Sequence, residues 1–118
     1  YSLYVIDRDI NILNENIGGL EINNYQLEAT DDLKTEVSRL LSNKPDVVIS
    51  ALPYHQTEIV AEFCIDNGIR YCDLGGSVPV SGEINYSAFK KATAPVMTDL
   101  GLAPGWINIL AEQGFQQL

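Results

Sequence analysis

The sequence predicts an α/β fold with a doubly wound parallel sheet. Two short apolar runs, Asp46-Val-Val-Ile-Ser-Ala-Leu-Pro-Tyr54 and Tyr71-Cys-Asp-Leu-Gly-Gly76, stop abruptly at small residues, Gly or Pro. Val47 to Ile49 shows no polar alternation, which is the pattern of a strand buried on both faces under helices. Stretches with helical spacing alternate with such runs along the whole chain, so the strands should be joined by right-handed crossovers. In such a sheet, ligands sit at the carboxyl ends of the strands. Here those ends are Ser50 to Pro53 and Asp73 to Gly76.

Leu3-Tyr-Val-Ile6 is a β-rich run ending in Asp7-Arg8-Asp9, a strand with an acidic tip. Asp9 can cap a short helix reaching about Asn16, which Gly18-Gly19 stops. Tyr25 to Ala29 is a weaker strand. Thr30-Asp31-Asp32 opens a helix whose apolar positions Leu33, Val37, Leu40 and Leu41 recur at three-to-four spacing, and Lys44-Pro45 closes it. Val47 to Ala51 is the buried strand. After Pro53, the residues Ile59, Val60, Phe63 and Cys64 form the stripe of a second helix, which ends at Asn67-Gly68. Ile69 to Cys72 is a strand, Pro79 to Gly82 a loop, and Glu83 to Thr93 a helix with Ile84, Ala88 and Phe89 on one side. Pro95 to Thr98 is the last strand, Asp99 to Pro104 a Gly/Pro-punctuated loop, and Gly105 to Leu118 the last helix. This order matches the later part of a Rossmann-like nucleotide-binding domain. The first strand and its Gly-x-Gly-x-x-Gly loop are missing from the pattern. The expectation is a partial NAD(P)-binding domain over residues 1–118, with no second domain, cut from a longer protein.

The chain has 118 residues, enough for one domain, and its 46 % hydrophobic content argues against disorder. A formal net charge of −9 repels nucleic acid and anionic lipid. It does not oppose a dinucleotide, which is held locally by backbone N–H groups at a helix terminus. No apolar run approaches the roughly 20 residues of a membrane span. Two cysteines without metal spacing point to reduced thiols and a cytoplasmic setting. One histidine and two scattered cysteines make no metal site.

Asp7, at the tip of the first strand, is placed to bond the ribose hydroxyls of an adenosine and to favour NAD. Its neighbour Arg8 could instead pair with the 2′-phosphate of NADP. Asp9 is better read as the helix cap. Ser50, Ala51, Leu52 and Pro53 leave their strand with small or rigid residues that let a flat polar ligand approach the backbone. Asp73, Leu74, Gly75 and Gly76 form the next strand edge, where the glycines would serve a tight turn equally well. Thr98 to Trp106 is the third edge, and Pro104-Gly105 opens a helix whose N-terminus can seat a carboxylate. Tyr54, His55, Pro104, Gly105 and Asn108 are the substrate-side candidates. No residue is singled out as the catalytic acid or base.

Three segments in order resemble the saccharopine dehydrogenase/lysine 6-dehydrogenase family. They are Asp46 to Tyr54, Asn67 to Gly76, and Asp99-Leu-Gly-Leu-Ala-Pro-Gly-Trp-Ile-Asn-Ile-Leu-Ala111, and Leu3 to Asp9 fits the family's second strand. The resemblance implies a nicotinamide-dependent dehydrogenase, using NAD or NADP, that oxidises a CH–NH or CH–NH2 bond of an amino acid. Saccharopine-cleaving members tend to carry an acid where this chain has Ala103. The Ala-Pro-Gly form with Asn108 is more similar to lysine dehydrogenases. The family's second domain and glycine loop are lacking here, so the chain alone should be inactive. Uncovered strand edges suggest a homo-oligomer. The alternative is a module that binds a nucleotide without turnover.

Overall fold

Every strand pair among the described residues is parallel. The computed structural model describes residues 3–7, 11, 23–26, 33–42 and 44–117. They fall into two compact units, Tyr1–Glu36 and Val37–Leu118. In the smaller unit, β1 (Tyr4–Asp7) pairs with β2 (Asn23–Gln26), with Tyr4 opposite Asn23 and Asp7 opposite Gln26. Asp7 is thus the last residue of its strand. The second strand lies earlier in the chain than the expected Tyr25 to Ala29. The short helix expected from Asp9 lies outside the described residues apart from Asn11, as does Arg8.

The larger unit carries a three-stranded sheet in the order β3 (Val47–Ser50), β4 (Arg70–Asp73), β5 (Val96–Met97). The division between units falls within helix α1 (Leu33–Leu40). Its Val37, with Leu41 just beyond its end, is buried as the three-to-four spacing predicts. Helices α2 (Tyr54–Asn67) and α3 (Val78–Lys91) are the crossovers between successive strands. This α/β arrangement with parallel strands is the Rossmann-like class that the sequence predicts.

The core of this unit lies between the sheet and these two helices. Val60, Ala61, Cys64 and Ile65 of α2, Ile84 of α3, and Tyr71 of β4 are all buried. The stripe of α2 is turned from the expected Ile59 and Phe63 towards Ala61 and Ile65. The helix packs against α3 as well as β3 and β4, so its buried arc is wider than one sheet contact requires. It ends in a paired closure at Gly68, where Ile69 N–H donates to the Cys64 carbonyl (2.9 Å) and Gly68 N–H to that of Ile65 (3.4 Å).

Pro79 to Gly82 is not a loop but the first part of α3. A proline in the first helical turn loses no hydrogen bond, since those N–H groups have no partner in the helix anyway. Helix α3 ends with Lys90 and Lys91, where positive charge suits the helix dipole. Strand β3 is not buried on both faces, because Val47 and Ile49 are 50 % and 68 % exposed. Alternate residues of a strand face opposite ways. Helices α2 and α3 cover only the face that holds Ser50, Tyr71 and Asp73. The last strand is also shorter than expected, at Val96–Met97. After it, a wide π turn (Leu102–Trp106) leads into α4 (Ile107–Gln116). Trp106 N–H reaches back to the Gly101 carbonyl (2.9 Å), passing over Pro104, which has no N–H to give.

Lys91 Nζ lies 2.7 Å from both Glu62 Oε2 and Asp66 Oδ1, tying α3 to α2 at the surface. Burial pulls the Glu62 carboxyl upward. The hydrogen bonds from Lys91 and Ser87 and the Lys91 charge outweigh it, leaving the group below its ordinary value. Hydrogen bonds to Asp66 and Glu62 raise Lys91. Glu62 therefore adds stability above the carboxylate range and loses it on acidification, while Lys91 loses its share only at high pH. Lys91→Met should lower the melting temperature at neutral pH, and the deficit should shrink as pH falls through the carboxylate range.

Ile84 is fully buried. Ile84→Ala should cost about 2–5 kcal/mol in denaturant unfolding. Phe89→Ser, at an 89 % exposed position on the same helix, should stay within about 0.5 kcal/mol of the parent.

Candidate functional site

Parallel pairing sends the carboxyl ends of β3, β4 and β5 to one edge of the sheet. Ser50 and Asp73 are register partners there, and Cys72 pairs with Met97 one step back. Three loops leave this edge: residues 51–53, residues 74–77 and residues 98–101. Ala51, Pro53, Leu74 and Gly76 are exposed on it, and Leu52 and Gly75 are half-buried. Tyr54 and His55 open α2 beside them, exposed, with their rings edge-to-face at 5.6 Å between centroids. A Cβ on Gly76 would sit 3.9 Å from the Tyr54 Cβ, so the first and second loops are neighbours.

The second and third loops interlock. Asp73 is 2 % exposed. Its Oδ1 accepts the N–H of Gly75 (2.8 Å) and of Asp99 (3.0 Å), and its Oδ2 accepts the Tyr71 hydroxyl (3.1 Å). The Asp73 carbonyl accepts the Leu100 N–H (2.9 Å). Asp99 adopts a left-handed conformation (φ 63°), uncommon for a residue with a side chain. Its Oδ1 accepts the Ser81 hydroxyl of α3 (2.9 Å). Gly75, also left-handed at φ 74°, lies so close that a Cβ there would collide with the Asp99 carboxylate. At Gly101 a Cβ would strike the Leu74 carbonyl. Only residues without side chains let the two loops approach this closely.

Beneath the edge lies a small buried polar group. Burial first, and the Asp73 charge second, push the Tyr71 hydroxyl well above the ordinary tyrosine value. It therefore stays protonated and donates. Ser50 Oγ is buried without a hydrogen-bond partner among the described residues, although it lies near enough to the Tyr71 hydroxyl to counter that rise in part. Burial pushes the Cys64 thiol up to about 12. Burial and the Asp73 charge also raise Cys72, so neither is a ready thiolate at neutral pH.

Of the candidate residues, Ala51 to His55 and Leu74 to Gly76 share one open edge. The side chains of Ser50 and Asp73 lie under it, buried. Pro104 and Gly105 are within the π turn, and Asn108 is exposed near the start of α4. Asp7 belongs to the other unit. Tyr71 and Ser81, which hold the edge together, were not foreseen from the sequence. Tyr71 could have been, because it stands two residues before Asp73 in a strand and so shares its face. Among the described residues, no group of His, Cys, Asp and Glu could hold a metal ion, and no helix is long and apolar enough to cross a membrane.

A family model described as the saccharopine dehydrogenase NADP binding domain matches residues 1–97. Among solved structures, the chain is similar to the apo histidine-tagged saccharopine dehydrogenase (L-Glu forming) from Saccharomyces cerevisiae, with a TM-score of 0.73 at 24 % identity. That match covers 98 % of this chain and 25 % of the yeast one. At that identity the likeness speaks for the fold, and this chain spans a quarter of the yeast protein's length.

Tyr71→Phe would leave Asp73 Oδ2 without its donor. The variant should lose about 1–3 kcal/mol of unfolding free energy, the cost of a buried acceptor left unpaired. Urea titration against the parent chain checks it.

Proposed function

The chain belongs to the saccharopine dehydrogenase NADP-binding domain family, and on that premise we propose that its open sheet edge serves oxidation of a C–N bond in an amino acid. The module is of the nicotinamide-dependent dehydrogenase type. The proposed substrate is free lysine or a related amine, since Ala103 stands where saccharopine-cleaving members tend to carry an acid. A bound nicotinamide would supply the hydride acceptor for the carbon bearing the nitrogen; with a proton lost to solvent this leaves an imine, which water hydrolyses to a carbonyl and ammonia, or to an amine where the nitrogen is secondary. The chain's own residues bind, orient and exclude water.

Asp7 and Arg8 would meet the adenosine ribose, with Arg8 available to a 2′-phosphate. The cradle offered to the nicotinamide half is mostly backbone. Ala51 to Pro53 and Leu74 to Gly76 carry few bulky groups over it, which suits a flat ring. From the buried Ser50 and Asp73 only backbone could join it. Tyr54, His55, Pro104, Gly105 and Asn108 would face the substrate. A cytoplasmic amino-acid metabolic role and self-association through strand edges go with this reading. Two free cysteines, one of them buried, support a reducing setting.

The observation that carries the proposal is the family match over residues 1–97, which include β3, β4 and β5, whose carboxyl ends gather on one edge. It is tested with the full-length protein, NAD or NADP, and lysine, saccharopine or related amines. Amine-dependent appearance of reduced nicotinamide is the expected result. Cofactor binding without turnover on any of these amines would make the protein a sensing module instead. Failure to bind either cofactor would end the reading. Arg8→Ala should weaken NADP binding roughly tenfold or more, the worth of one charge-assisted hydrogen bond, while leaving NAD nearly unchanged.

A further inference from the structure

We propose that Asp73 is a positioning residue whose carboxylate clamps the loop after β4 to the loop after β5, so that the two present one rigid rim to the cofactor. The inference rests on the cofactor reading above. It changes what Asp73 does within that reading, from touching the ligand to holding the groups that touch it.

The geometry leaves the carboxylate no other task. At 2 % exposure it has no open side for a ligand. Its two oxygens accept three protein donors, one from its own strand, one from its own loop and one from the neighbouring loop. The bond to the Asp99 N–H is the link between loops. It holds Asp99 in a left-handed conformation that an aspartate seldom adopts unaided. From that position the Asp99 carboxylate reaches Ser81 of α3, so the clamp is anchored to a crossover helix. The Leu100 N–H adds a second tie to the Asp73 carbonyl. A buried carboxylate costs free energy unless its hydrogen bonds are made. Opening either loop would break those bonds, so the two loops should move together or not at all.

Removing the carboxylate should free both loops without dissolving the sheet. Asp73→Ala in the full-length protein is expected to speed amide exchange at Gly75 and Asp99, and to raise the dissociation constant for NADP, each by roughly tenfold or more. Asp73→Asn keeps an oxygen for both N–H groups, and the Tyr71 hydroxyl can turn to the Thr57 carbonyl 3.5 Å away. That variant should restore both quantities to within about threefold of the parent. Ser81→Ala removes the donor to Asp99 from a helix outside the rim. It should move both readouts the same way by a smaller factor, which keeps the test alive if Asp73→Ala does not fold.

Two results would overturn the clamp. One is unchanged exchange and unchanged affinity in Asp73→Ala and Ser81→Ala. The other is an Asp73→Asn protein that loses affinity as badly as Asp73→Ala while its amides stay protected, which would mean that the charge itself acts on the ligand. Should the parent bind neither NAD nor NADP, the cofactor reading fails, and amide exchange alone decides the clamp.

Discussion

The carboxylate of a residue only 2 % exposed must be given donors, because a buried polar group left unpaired costs free energy. Asp73 meets that demand by drawing in the Tyr71 hydroxyl from its own strand and the backbone of two loops. Much of the sheet edge follows from this. Gly75 must lack a side chain because Asp99 is pulled against it, and Gly101 must lack one because Leu74 lies against it. The edge that looks like a row of soft glycine turns is a set of backbones fitted around one buried carboxylate.

The two faces of the larger sheet are unlike. One packs under α2 and α3 and holds the polar group at Ser50, Tyr71 and Asp73. The other carries Ile49, Cys72 and Met97 in register across its three strands, with Ile49 and Met97 more than half exposed. Helix α4 likewise buries none of its residues, although Ile107, Ile109, Leu110 and Phe115 are apolar. The family match ties this chain to the NADP-binding domain of saccharopine dehydrogenases, and the chain of the structural neighbour is several times longer.

Much of the architecture was legible in the residues. Val47 to Ile49 and Tyr71 to Cys72 announced strands by β-branched and apolar runs, and the Gly68 stop held to the residue. The misreadings have local causes. Pro79 and Gly82 look like a loop because both punctuate chains, but a proline costs a helix nothing in its first turn. Val47 and Ile49 look doubly buried because a run without alternation cannot say whether both faces are covered. Met97 marks a strand cut short where Asp99 and Leu100 turn aside to meet Asp73.

The sequence by itself determined the order of strands and helices, the family, and the three loops that leave the strand ends, because these depend on patterns a few residues long. Tertiary structure alone decided which partners those loop residues meet. Asp73 and Asp99 are far apart in the chain, and only strand pairing brings the Asp99 amide to the Asp73 oxygen. Whether a carboxylate faces a ligand or the protein interior depends on which donors surround it, and those of Asp73 come from β4, from the loop after it and from the turn after β5.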